Sequence, residues 1–345
     1  MFEEYRGKRV FVTGHTGFKG SWLCELLLSV GAEVYGYALM PSTKPALFTQ
    51  LKLARRIRSH VIGDVRDLAA LSVAVRAARP DYIFHLAAQP LVRLSYREPV
   101  ETFAANVMGT VNLLEAIRRE MTSCSVVCIT TDKCYENDNS GRAFVETDPM
   151  GGSDPYSASK GACEIAIASY RRSFFSDGAS IKVASARAGN VIGGGDWAED
   201  RIVPDAMRAF LTGKELVVRN AQATRPWQHV LEPLCGYLML GLSSVAEAFN
   251  FGPEEKTERT VGQLVKELTR WFPAAAFVDL TEKSAPCEAK LLRLDSSKAK
   301  AVLGWTPRWD FKRTVRETAQ WYEAVAAGND PRRVTQEQIA KYLAS

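Results

Sequence analysis

Several side chains that can move protons lie close together between residues 129 and 161. The segment reads I-T-T-D-K-C-Y-E-N and, after an intervening stretch, D-P-Y-S-A-S-K-G. Tyr156 and Lys160 are four residues apart, so on a helix they occupy one face. A lysine ammonium beside a phenol favours the phenolate and lowers the pKa of the tyrosine. Such a phenol can remove the proton of an alcohol while a hydride leaves the same carbon.

Three further polar residues come directly after an apolar run. Val126 to Ile129 is typical of a strand buried on both faces. Thr131, at the end of this strand, can hydrogen-bond the oxygen that the tyrosine deprotonates. Asp132 and Lys133 add an acid and a base that a simple oxidation does not need. The alternative for the Asp-Lys pair is an exposed turn, but its place directly after a buried strand argues against that interpretation.

A Tyr-x-x-x-Lys pair alone is weak evidence, because helices also carry it on solvent-exposed faces. Near the start of the chain, G-H-T-G-F-K-G lies between a predicted strand, Arg9 to Thr13, and a predicted helix, Ser21 to Val30. Glycines are needed where such a turn is tight, where backbone approaches a pyrophosphate and where helix packs on strand. This order favours a dinucleotide site over a ligand-free turn. The predicted contacts are Gly14, His15, Thr16, Gly17, Phe18, Lys19 and Gly20.

The next strands offer further contacts to a dinucleotide. Asp64 follows a strand at Arg58 to Gly63 and could bind an adenine amine, or it could be a helix N-cap, as Asp67 is expected to be. Small residues follow the strand at Tyr82 to Leu86 and would let a cofactor lie against backbone. His85 within that strand is expected to be a core residue. The additional predicted contacts are Asp64, Val65, Leu86, Ala87, Ala88 and Asn106, together with Tyr156 and Lys160.

The residue at the end of the second strand leaves the type of dinucleotide open. This strand is predicted over Ala32 to Leu39, and an acidic residue after it usually binds the adenosine ribose hydroxyls. Met40 occupies that position. Ser42, Thr43 or backbone could replace the carboxylate, whereas Lys44 could bind a 2′-phosphate. The residues themselves therefore do not decide between NAD and NADP.

Length and composition restrict the class of protein. The 345 residues allow one or two domains, and a net charge of +5 without a basic run argues against nucleic-acid or membrane-surface binding. Seven cysteines without paired C-x-x-C spacing predict neither a metal site nor a disulfide framework. The polar residues 1–8 and the lack of a long apolar run predict no signal peptide, no membrane span and a cytoplasmic location.

Alternating strands and helices predict an α/β fold, a Rossmann-type doubly wound parallel sheet with a smaller mixed α/β C-terminal substrate domain. One long helix is expected from Val100 to Glu120, and Leu91 to Tyr96 is expected to be a loop over the site. Three consecutive glycines from Gly193 mark where the chain leaves the first domain. The predicted domains are residues 1–188 plus about 227–252 for the dinucleotide, and residues 189–226 and 253–345 for the substrate.

These motifs, in this order and spacing, resemble the extended short-chain dehydrogenase/reductase superfamily. Six segments resemble more particularly the family of CDP-glucose 4,6-dehydratases, and the likeness covers essentially the whole chain. Asp132-Lys133 is its most specific detail, because related dehydratases that act on dTDP-glucose and GDP-mannose carry Asp-Glu or similar there. The segments are T-G-H-T-G-F-K-G, H-L-A-A-Q-P-L-V-R-L-S-Y, T-T-D-K-C-Y-E-N, P-M-G-G-S-D-P-Y-S-A-S-K-G, R-A-G-N-V-I-G-G-G-D-W and R-P-W-Q-H-V-L-E-P.

The resemblance implies a redox-neutral reaction with NAD that converts CDP-glucose to CDP-4-dehydro-6-deoxy-D-glucose and water. Tyr156 would take the O4 proton while hydride moves from C4 to the cofactor, whose positive charge would also favour the phenolate. Loss of the C5 proton and of the C6 hydroxyl would follow, and the hydride would return to C6. The resemblance implies that Asp132 is the acid and Lys133 the C5 base. Because each opposes the protonation state that the other needs, this division stays open.

The resemblance also implies substrate contacts and a homodimer or higher homo-oligomer. Arginine suits a diphosphate because its planar fork makes bidentate contacts, although Arg225 could equally form a surface ion pair. In this family, the helices Val100 to Glu120 and Tyr156 to Ser173 pair across a dimer, while their periodicity alone also fits a monomer core. The predicted substrate contacts are Gln89, Arg93, Ser95, Asn190, Arg201, Arg225, Glu288 and Arg293.

Two departures from the family pattern bear on binding. The family commonly has an aspartate where Met40 stands, and His-Glu-Ala-His where this chain has Cys287 to Lys290. The first concerns cofactor affinity and the second concerns nucleotide or sugar preference. Two alternative functions therefore remain. An epimerase or reductase on the same scaffold would release no water, and a non-catalytic cofactor-binding protein would typically lack Tyr156 or Lys160.

Overall fold

A computed structural model describes residues 1–137, 140–176, 178–254, 259–272, 274–280 and 292–345. Its strands are β1 (Arg9–Thr13), β2 (Glu33–Ala38), β3 (Ser59–Ile62), β4 (Tyr82–His85), β5 (Cys124–Ile129), β6 (Ile181–Ala188), β7 (Val191–Ile192), β8 (Leu216–Val218), β9 (Thr224–Arg225), β10 (Gln228–His229), β11 (Ala248–Phe251), β12 (Arg259–Thr260) and β13 (Phe277–Asp279). Its α-helices are α1 (Phe18–Ser29), α2 (Leu47–Gln50), α3 (Leu68–Ala78), α4 (Val92–Arg97), α5 (Pro99–Phe103), α6 (Gly109–Glu120), α7 (Pro155–Phe174), α8 (Ile202–Leu211), α9 (Leu231–Leu242), α10 (Val261–Thr269), α11 (Phe311–Ala326) and α12 (Pro331–Leu343).

Seven parallel strands form the central sheet in the order β11-β6-β5-β4-β1-β2-β3. The order reverses at β1 and β4, which lie side by side, and the chain leaves each of these strands at the same edge of the sheet. A parallel sheet of this kind opens a crevice at its carboxyl edge at this reversal. The predicted Rossmann-type doubly wound fold is confirmed, whereas the predicted division into two domains stays a prediction.

Apolar side chains alternate between the two faces of this sheet, as the two-residue period of a strand requires. Phe11 and Val126 point into a layer with α3, α6 and α7. Val12 and Val127 point into the other layer, which holds α1, α9 and α11. Because both faces are covered, the sheet strands are apolar at nearly every position, which is why they could be recognised in the sequence.

The glycine-rich turn after β7 is held by aromatic side chains from distant helices. Trp22 donates its indole N–H to the Gly194 carbonyl at 2.9 Å, and the Tyr322 hydroxyl donates to the Asp196 carbonyl at 2.6 Å. A Cβ at Gly194 would lie 1.9 Å from the Trp321 ring. The glycine there is therefore required by packing, and the turn reaches the cleft in one defined position.

The backbone is helical from Pro99 to Glu120, much as predicted for Val100 to Glu120, but it is not one regular α-helix. A π-helical turn at Ala104–Met108 separates α5 from α6. A π turn adds a residue to the repeat and rotates the register, so Asn106 points into the protein and is 1% exposed. A 3.6-residue pattern cannot reveal such a change, because it depends on the partners that Asn106 finds elsewhere in the fold.

Two other boundaries differ from prediction. Most of the segment Leu91 to Tyr96, expected to be a loop, belongs to the helix α4, in which the Ser95 hydroxyl donates to the Val92 carbonyl at 2.7 Å. A helix of six residues is too short for its periodicity to be recognised. The helix α1 begins at Phe18, three residues before the predicted start, because the glycine motif itself supplies its first turn. The predicted cap Asp67 is confirmed, accepting from the Ala70 amide at 3.0 Å, and Asp154 caps α7 in the same way, accepting from the Ser157 amide at 3.0 Å.

No helix among the described residues is long and apolar enough to cross a lipid bilayer.

Candidate active site

The three glycines of the turn after β1 and the first turn of α1 have different physical roles. A Cβ at Gly14 would lie 2.7 Å from the Ala87 amide nitrogen, and one at Gly20 would lie 2.2 Å from the Gly14 carbonyl oxygen. These two positions are closed by backbone. Gly17 is exposed and lines the cleft, and no side chain in the described part of the chain caps the start of α1 at this residue. An uncapped helix start on a cleft is a favourable site for a phosphate anion.

The carboxyl edge of the sheet opens into a cleft of about 860 Å³. Most of the predicted site residues line this cleft, and they come from both sides of the point where the strand order reverses. They are Gly14, Thr16, Gly17, Phe18, Lys19, Gly20, Asp64, Val65, Leu86, Ala87, Ala88, Gln89, Arg93, Thr131, Asp132, Lys133, Tyr156, Lys160, Asn190, Arg201 and Arg225.

Five predicted residues do not line the described part of the cleft. Four of them, His15, Ser95, Asn106 and Arg293, are not among the residues that line it, and Glu288 falls outside the described residues. The backbone carbonyl of Arg293 accepts from the Phe144 amide at 2.9 Å. Direct binding by these five residues stays a prediction.

His15 packs behind the glycine loop. Its Nε2 lies 2.7 Å from Nδ1 of His60, and its ring stands edge-on to Phe48. Burial, and then the neighbouring imidazole, lower the pKa of His15 to about 4. The imidazole is thus neutral at physiological pH, and the structure places it where it supports the loop from the side opposite the cleft.

Ser95 and Asn106 hold the walls of the cleft together. The Tyr156 amide donates to the Ser95 hydroxyl at 3.2 Å. Asn106 accepts from the Gln89 amide at 2.8 Å and donates to the Ser159 hydroxyl at 2.8 Å. His85 is confirmed as a core residue, with Nδ1 2.7 Å from the Thr13 hydroxyl.

A chain of hydroxyls and a carboxyl group connects the predicted catalytic residues. The Tyr156 phenol hydrogen-bonds Thr131, and the Thr131 hydroxyl lies 3.0 Å from Oδ1 of Asp132. Tyr156 comes from α7, while the other two follow β5. Two elements distant in sequence therefore place three proton-carrying groups in a row.

The pKa of Tyr156 is raised to about 12, because burial outweighs the hydrogen bond from Thr131 and the positive charge of Arg201. The sequence-based expectation of a lowered pKa is therefore wrong for the protein's own groups. A further positive charge is needed to bring the phenol into the range where it acts as a base. Lys160 lies one turn along α7, with its ammonium 3.3 Å from the Ile129 carbonyl, and burial lowers the pKa of Lys160.

Asp132 is 2% exposed, and its Oδ2 has no hydrogen-bond partner among the described residues. Burial raises the pKa of Asp132, and the charge of Lys133 is the largest effect that opposes the rise. A carboxyl group held in this way stays protonated more readily than an exposed one and can donate a proton. The raised pKa agrees with the acid role implied for Asp132.

Lys19 reaches the catalytic side of the cleft, although its motif predicted only a phosphate contact. Burial lowers the pKa of Lys19 to about 8, followed by the charges of Arg201 and Lys160, whereas Asp132 raises it. Its ammonium lies 6.0 Å from the centre of the Tyr237 ring. The second residue of α1 thus contributes a cation near Asp132, which no spacing in the sequence indicated.

The wall opposite the glycine loop is built after β6. Arg201 pairs with Asp196 at 2.9 Å, and Arg225 is buried in β9. Sequence reasoning did not single out the apolar and amide side chains that complete this wall, because they come from loops, from α8 and from β8, and no motif connects them. They include Trp197, Pro204, Val217, Val218 and Asn220.

The end of β2 forms the far rim of the cleft. Met40 is 66% exposed and lines the rim together with Ser42 and Thr43. Asp64 lies across from them, paired with Arg66 at 2.6 Å. Two carboxylates line this part of the cleft, Asp64 and Glu101, and both are bound to Arg66.

The comparisons with known proteins define the class first. Residues 11–318 match the family model described as GDP-mannose 4,6 dehydratase. Because the match spans most of the chain, the protein belongs to this family of nucleotide-sugar dehydratases.

A curated relative is more specific. The CDP-glucose 4,6-dehydratase of Salmonella typhimurium is 45% identical over 352 residues, which cover 99% of this chain and 98% of that protein. This relative agrees with the resemblance that the Asp132-Lys133 motif carried.

Solved structures of the same fold were obtained with NAD bound. The dTDP-glucose 4,6-dehydratase DesIV of Streptomyces venezuelae has a TM-score of 0.79 and 25% identity, covering 94% of this chain and 99% of its own. The UDP-glucose 4-epimerase of Thermus thermophilus has a TM-score of 0.79 and 27% identity, covering 91% and 99%.

Proposed function

We propose that this protein is a hydro-lyase that converts CDP-glucose to CDP-4-dehydro-6-deoxy-D-glucose and water on bound NAD. The observation that carries the proposal is the row of Tyr156, Thr131 and Asp132 in one cleft, with Lys133 next in the chain. Tyrosine and threonine alone would suffice for an oxidation or an epimerisation. The added buried acid and neighbouring lysine supply what the loss of water requires.

The residues present fit a dinucleotide. Gly14 and Gly20 are closed by backbone while Gly17 opens an uncapped helix start to the cleft, and the solved relatives DesIV and the Thermus epimerase hold NAD. Residues 14–20, with Ala87 and Ala88, would hold the cofactor. NAD, when bound, would accept a hydride from the sugar, return it later, and add the positive charge that Tyr156 lacks.

Tyr156 acts first in the proposed reaction. Its phenolate removes the proton of the C4 hydroxyl, and Thr131 hydrogen-bonds the same oxygen. Lys160 supports the phenolate as a buried cation on the same helix. The C4 carbon becomes a ketone, which makes the proton on the adjacent C5 acidic.

Asp132 and Lys133 act in the elimination. Lys133 removes the C5 proton, and Asp132 donates a proton to the C6 oxygen, so that water leaves. After hydride has been returned to C6, Lys133 gives its proton back to C5. The proton that Tyr156 took at O4 can reach Asp132 through the Thr131 hydroxyl, 3.0 Å from Oδ1. This hydrogen-bonded row balances the protons within one turnover.

The proposed nucleotide contacts lie on the wall opposite the cofactor loop. Arg225 and Arg201 line this part of the cleft together with Asn190. Two guanidinium groups offer bidentate donors to a diphosphate. The preference for the cytidine nucleotide is supported by the relative from Salmonella typhimurium, which is 45% identical.

We further propose that two chains pair through α5, the π turn after it and α7. Val100 is 75% exposed and Ile165 is 60% exposed, and Phe103 and Met108 add apolar surface on the same elements. Exposed apolar side chains grouped on neighbouring helices mark protein contacts. Sedimentation of the wild type and of a Val100→Glu, Ile165→Glu variant tests the pairing, since two buried charges should leave a monomer.

The first experiment is a mass spectrum of the purified protein after incubation with CDP-glucose and NAD. A product lighter by one water, with no net NADH, supports the dehydratase. An unchanged mass with inverted stereochemistry would identify an epimerase, and net NADH would identify a dehydrogenase. Reaction of dTDP- or GDP-sugars alone would leave the chemistry standing and overturn the nucleotide assignment.

Two variants then separate oxidation from elimination. Asp132→Asn and Lys133→Ala should still transfer hydride from C4 while losing the water-releasing step, because neither residue removes the O4 proton. Deuterium at C4 of the sugar reports the first step, and product mass reports the second. If both variants lose both steps to the same degree, the proposed roles are wrong.

A further inference from the structure

A buried ion pair lies directly behind the catalytic residues. Glu164 on α7 is 4% exposed and Arg187 on β6 is 4% exposed, and their charged groups are 2.8 Å apart. A buried charge is costly unless it is paired and hydrogen-bonded. Burying such a pair lowers the stability of the fold. Its place next to the candidate active site suggests that it serves the site.

The carboxylate of Glu164 is bound by two further side chains, one on β6 and one directly after β5. It accepts from the Ser185 hydroxyl at 2.8 Å and from the Thr130 hydroxyl. Thr130 directly precedes Thr131, and Glu164 follows Lys160 by one helical turn, so they lie on the same face of α7. One carboxylate therefore connects the strand end that carries the catalytic threonine to the helix that carries the tyrosine and lysine.

The guanidinium of Arg187 binds the other end of the catalytic segment. It donates to the Tyr135 hydroxyl at 2.7 Å and to the Glu146 carbonyl at 3.0 Å, and its centre lies 4.9 Å from the centre of the Tyr135 ring. Tyr135 in turn donates to Asn250 at 2.7 Å. The segment from Thr130 to Tyr135, which contains Asp132 and Lys133, is thus held at both ends by the two members of one ion pair.

From this geometry we infer that Glu164 and Arg187 are positioning residues. They set the segment 130–135 against α7, and the Glu164 carboxylate supplies the negative charge that keeps the Lys160 ammonium charged, one helical turn from Tyr156. The catalytic part of this inference rests on the proposed function. The effect on Lys160 does not, because it follows from the positions of the two side chains alone.

The electrostatic surroundings of Lys160 single out Glu164. Burial lowers the pKa of Lys160, and Cys163, Glu164, Cys128 and Cys134 raise it. The thiols among these are neutral, because burial raises the pKa of each. Two basic groups also face the Lys160 ammonium. Lys19 faces it from α1, and His85 faces it from β4, where burial keeps the imidazole neutral. Of the groups that raise the pKa of Lys160, Glu164 is the one that carries a charge at neutral pH.

The test measures Lys160 directly and does not depend on turnover. Trace labelling with acetic anhydride across a pH series, read by peptide mass spectrometry, gives the pH at which each lysine becomes reactive. In Glu164→Gln, the labelling curve of Lys160 should move to lower pH than in the wild type. Glu25→Gln is the matched control, because Glu25 is also fully buried and binds an arginine, Arg56, at 2.7 Å. It should leave the Lys160 curve in place.

In Glu164→Gln, the buried Arg187 loses its partner, and the variant could fail to fold for that reason. Two further variants keep the test decisive in that case. Glu164→Gln combined with Arg187→Gln removes both charges and should move the Lys160 curve in the same direction. Glu164→Asp keeps the charge and should leave the curve nearer to that of the wild type. An unmoved curve in both charge-removing variants, or an equal movement in Glu25→Gln, would overturn the inference.

Kinetics then test the positioning part. Arg187→Lys keeps the charge but loses the planar fork, and we expect kcat to fall on the order of 100-fold with KM little changed, as for a misplacement of reacting groups by about 1 Å. A fall in kcat together with an unmoved pH profile is expected for this variant, whereas Glu164→Gln should move the profile as well. If the Arg187→Lys variant is as active as the wild type, the positioning role is wrong. Absence of dehydratase activity in the wild type would contradict the proposed function and leave the labelling result standing.

Discussion

The carboxyl group that the proposed elimination needs should weaken the fold. Asp132 is 2% exposed, and its Oδ2 accepts no hydrogen bond from the part of the chain that the structure describes. Burial raises the pKa of Asp132 in spite of opposing effects from Lys133, Thr131 and Arg225. The ionised form is therefore less favourable in the folded protein than in the unfolded chain. Asp132→Asn removes the charge while keeping the shape, and it should stabilise the protein at neutral and alkaline pH.

The size of this effect follows from the buried oxygen. An unsatisfied buried acceptor costs about 1–3 kcal/mol, and more when it is charged. Because the asparagine amide bears part of the same cost, we expect a net gain of about 1 kcal/mol. At about 2.1 cal/mol/K per residue, the entropy of unfolding of 345 residues is about 0.7 kcal/mol/K. The expected rise in Tm is thus about 1–2 °C.

The dependence on pH gives the prediction its signature. A carboxyl group whose pKa is raised in the folded state contributes no penalty below its unfolded pKa, near 3.9. The penalty grows as the pH rises towards the folded pKa and is constant above it. Asparagine does not titrate, so the gain in Tm of Asp132→Asn should be full at pH 8 and should vanish towards pH 4.

Thermal unfolding followed by circular dichroism at both pH values, without added ligand, measures this difference. Asp196→Asn is the matched control, because Asp196 is equally buried but binds Arg201 at 2.9 Å and the Ala198 amide at 3.2 Å. That variant should lose stability at pH 8. The reasoning is refuted if Asp132→Asn lowers Tm at pH 8, or if its gain is the same at both pH values.

Three further predictions concern catalysis and binding. Tyr156→Phe should lower kcat by about 10²–10⁴-fold, as measured by product formation. In the wild type, kcat should rise between pH 6 and 9, because burial raises the pKa of the Tyr156 phenol, and a flat profile would contradict this. Met40→Asp should tighten NAD binding about tenfold, or about 1.4 kcal/mol, because Met40 lies exposed on the cleft rim. Met40→Asn is the uncharged control, and equal NAD affinity of the two variants would count against a contact of the carboxylate with the ribose. Arg225→Lys should raise KM for the nucleotide sugar about tenfold, because lysine keeps the charge but loses the fork; an unchanged KM would place Arg225 outside the diphosphate site.

The sequence predicted best those features that depend on neighbours along the chain. The strand at Tyr82–His85 and the helix at Leu68–Ala78 show their periodicity within a few residues, and the caps Asp67 and Asp154 bind amides three residues away. Prediction missed features that a distant partner decides. The π turn at Ala104–Met108 is one case, since it turns Asn106 towards partners 17 and 53 residues away.

The candidate site divides in the same way. Thr131, Asp132 and Lys133 form one short segment, and Tyr156 and Lys160 form another, so their chemistry could be recognised before their arrangement was known. The opposite wall could not be recognised as part of the site, because its residues come from loops, from α8 and from β8, and no motif connects them.

By itself, the sequence determined the order of strands and helices, the position of the glycine motif and the identity of the proton-carrying residues, because each depends on local spacing and backbone preference. Only the tertiary structure decided which charges meet. Lys19 lies near Asp132, and Glu164 pairs with Arg187. Burial then sets the direction in which each of these groups titrates. The physical reason is that desolvation and Coulomb interactions depend on distances through space, which residues far apart in the chain acquire only when the sheet and its helices pack together.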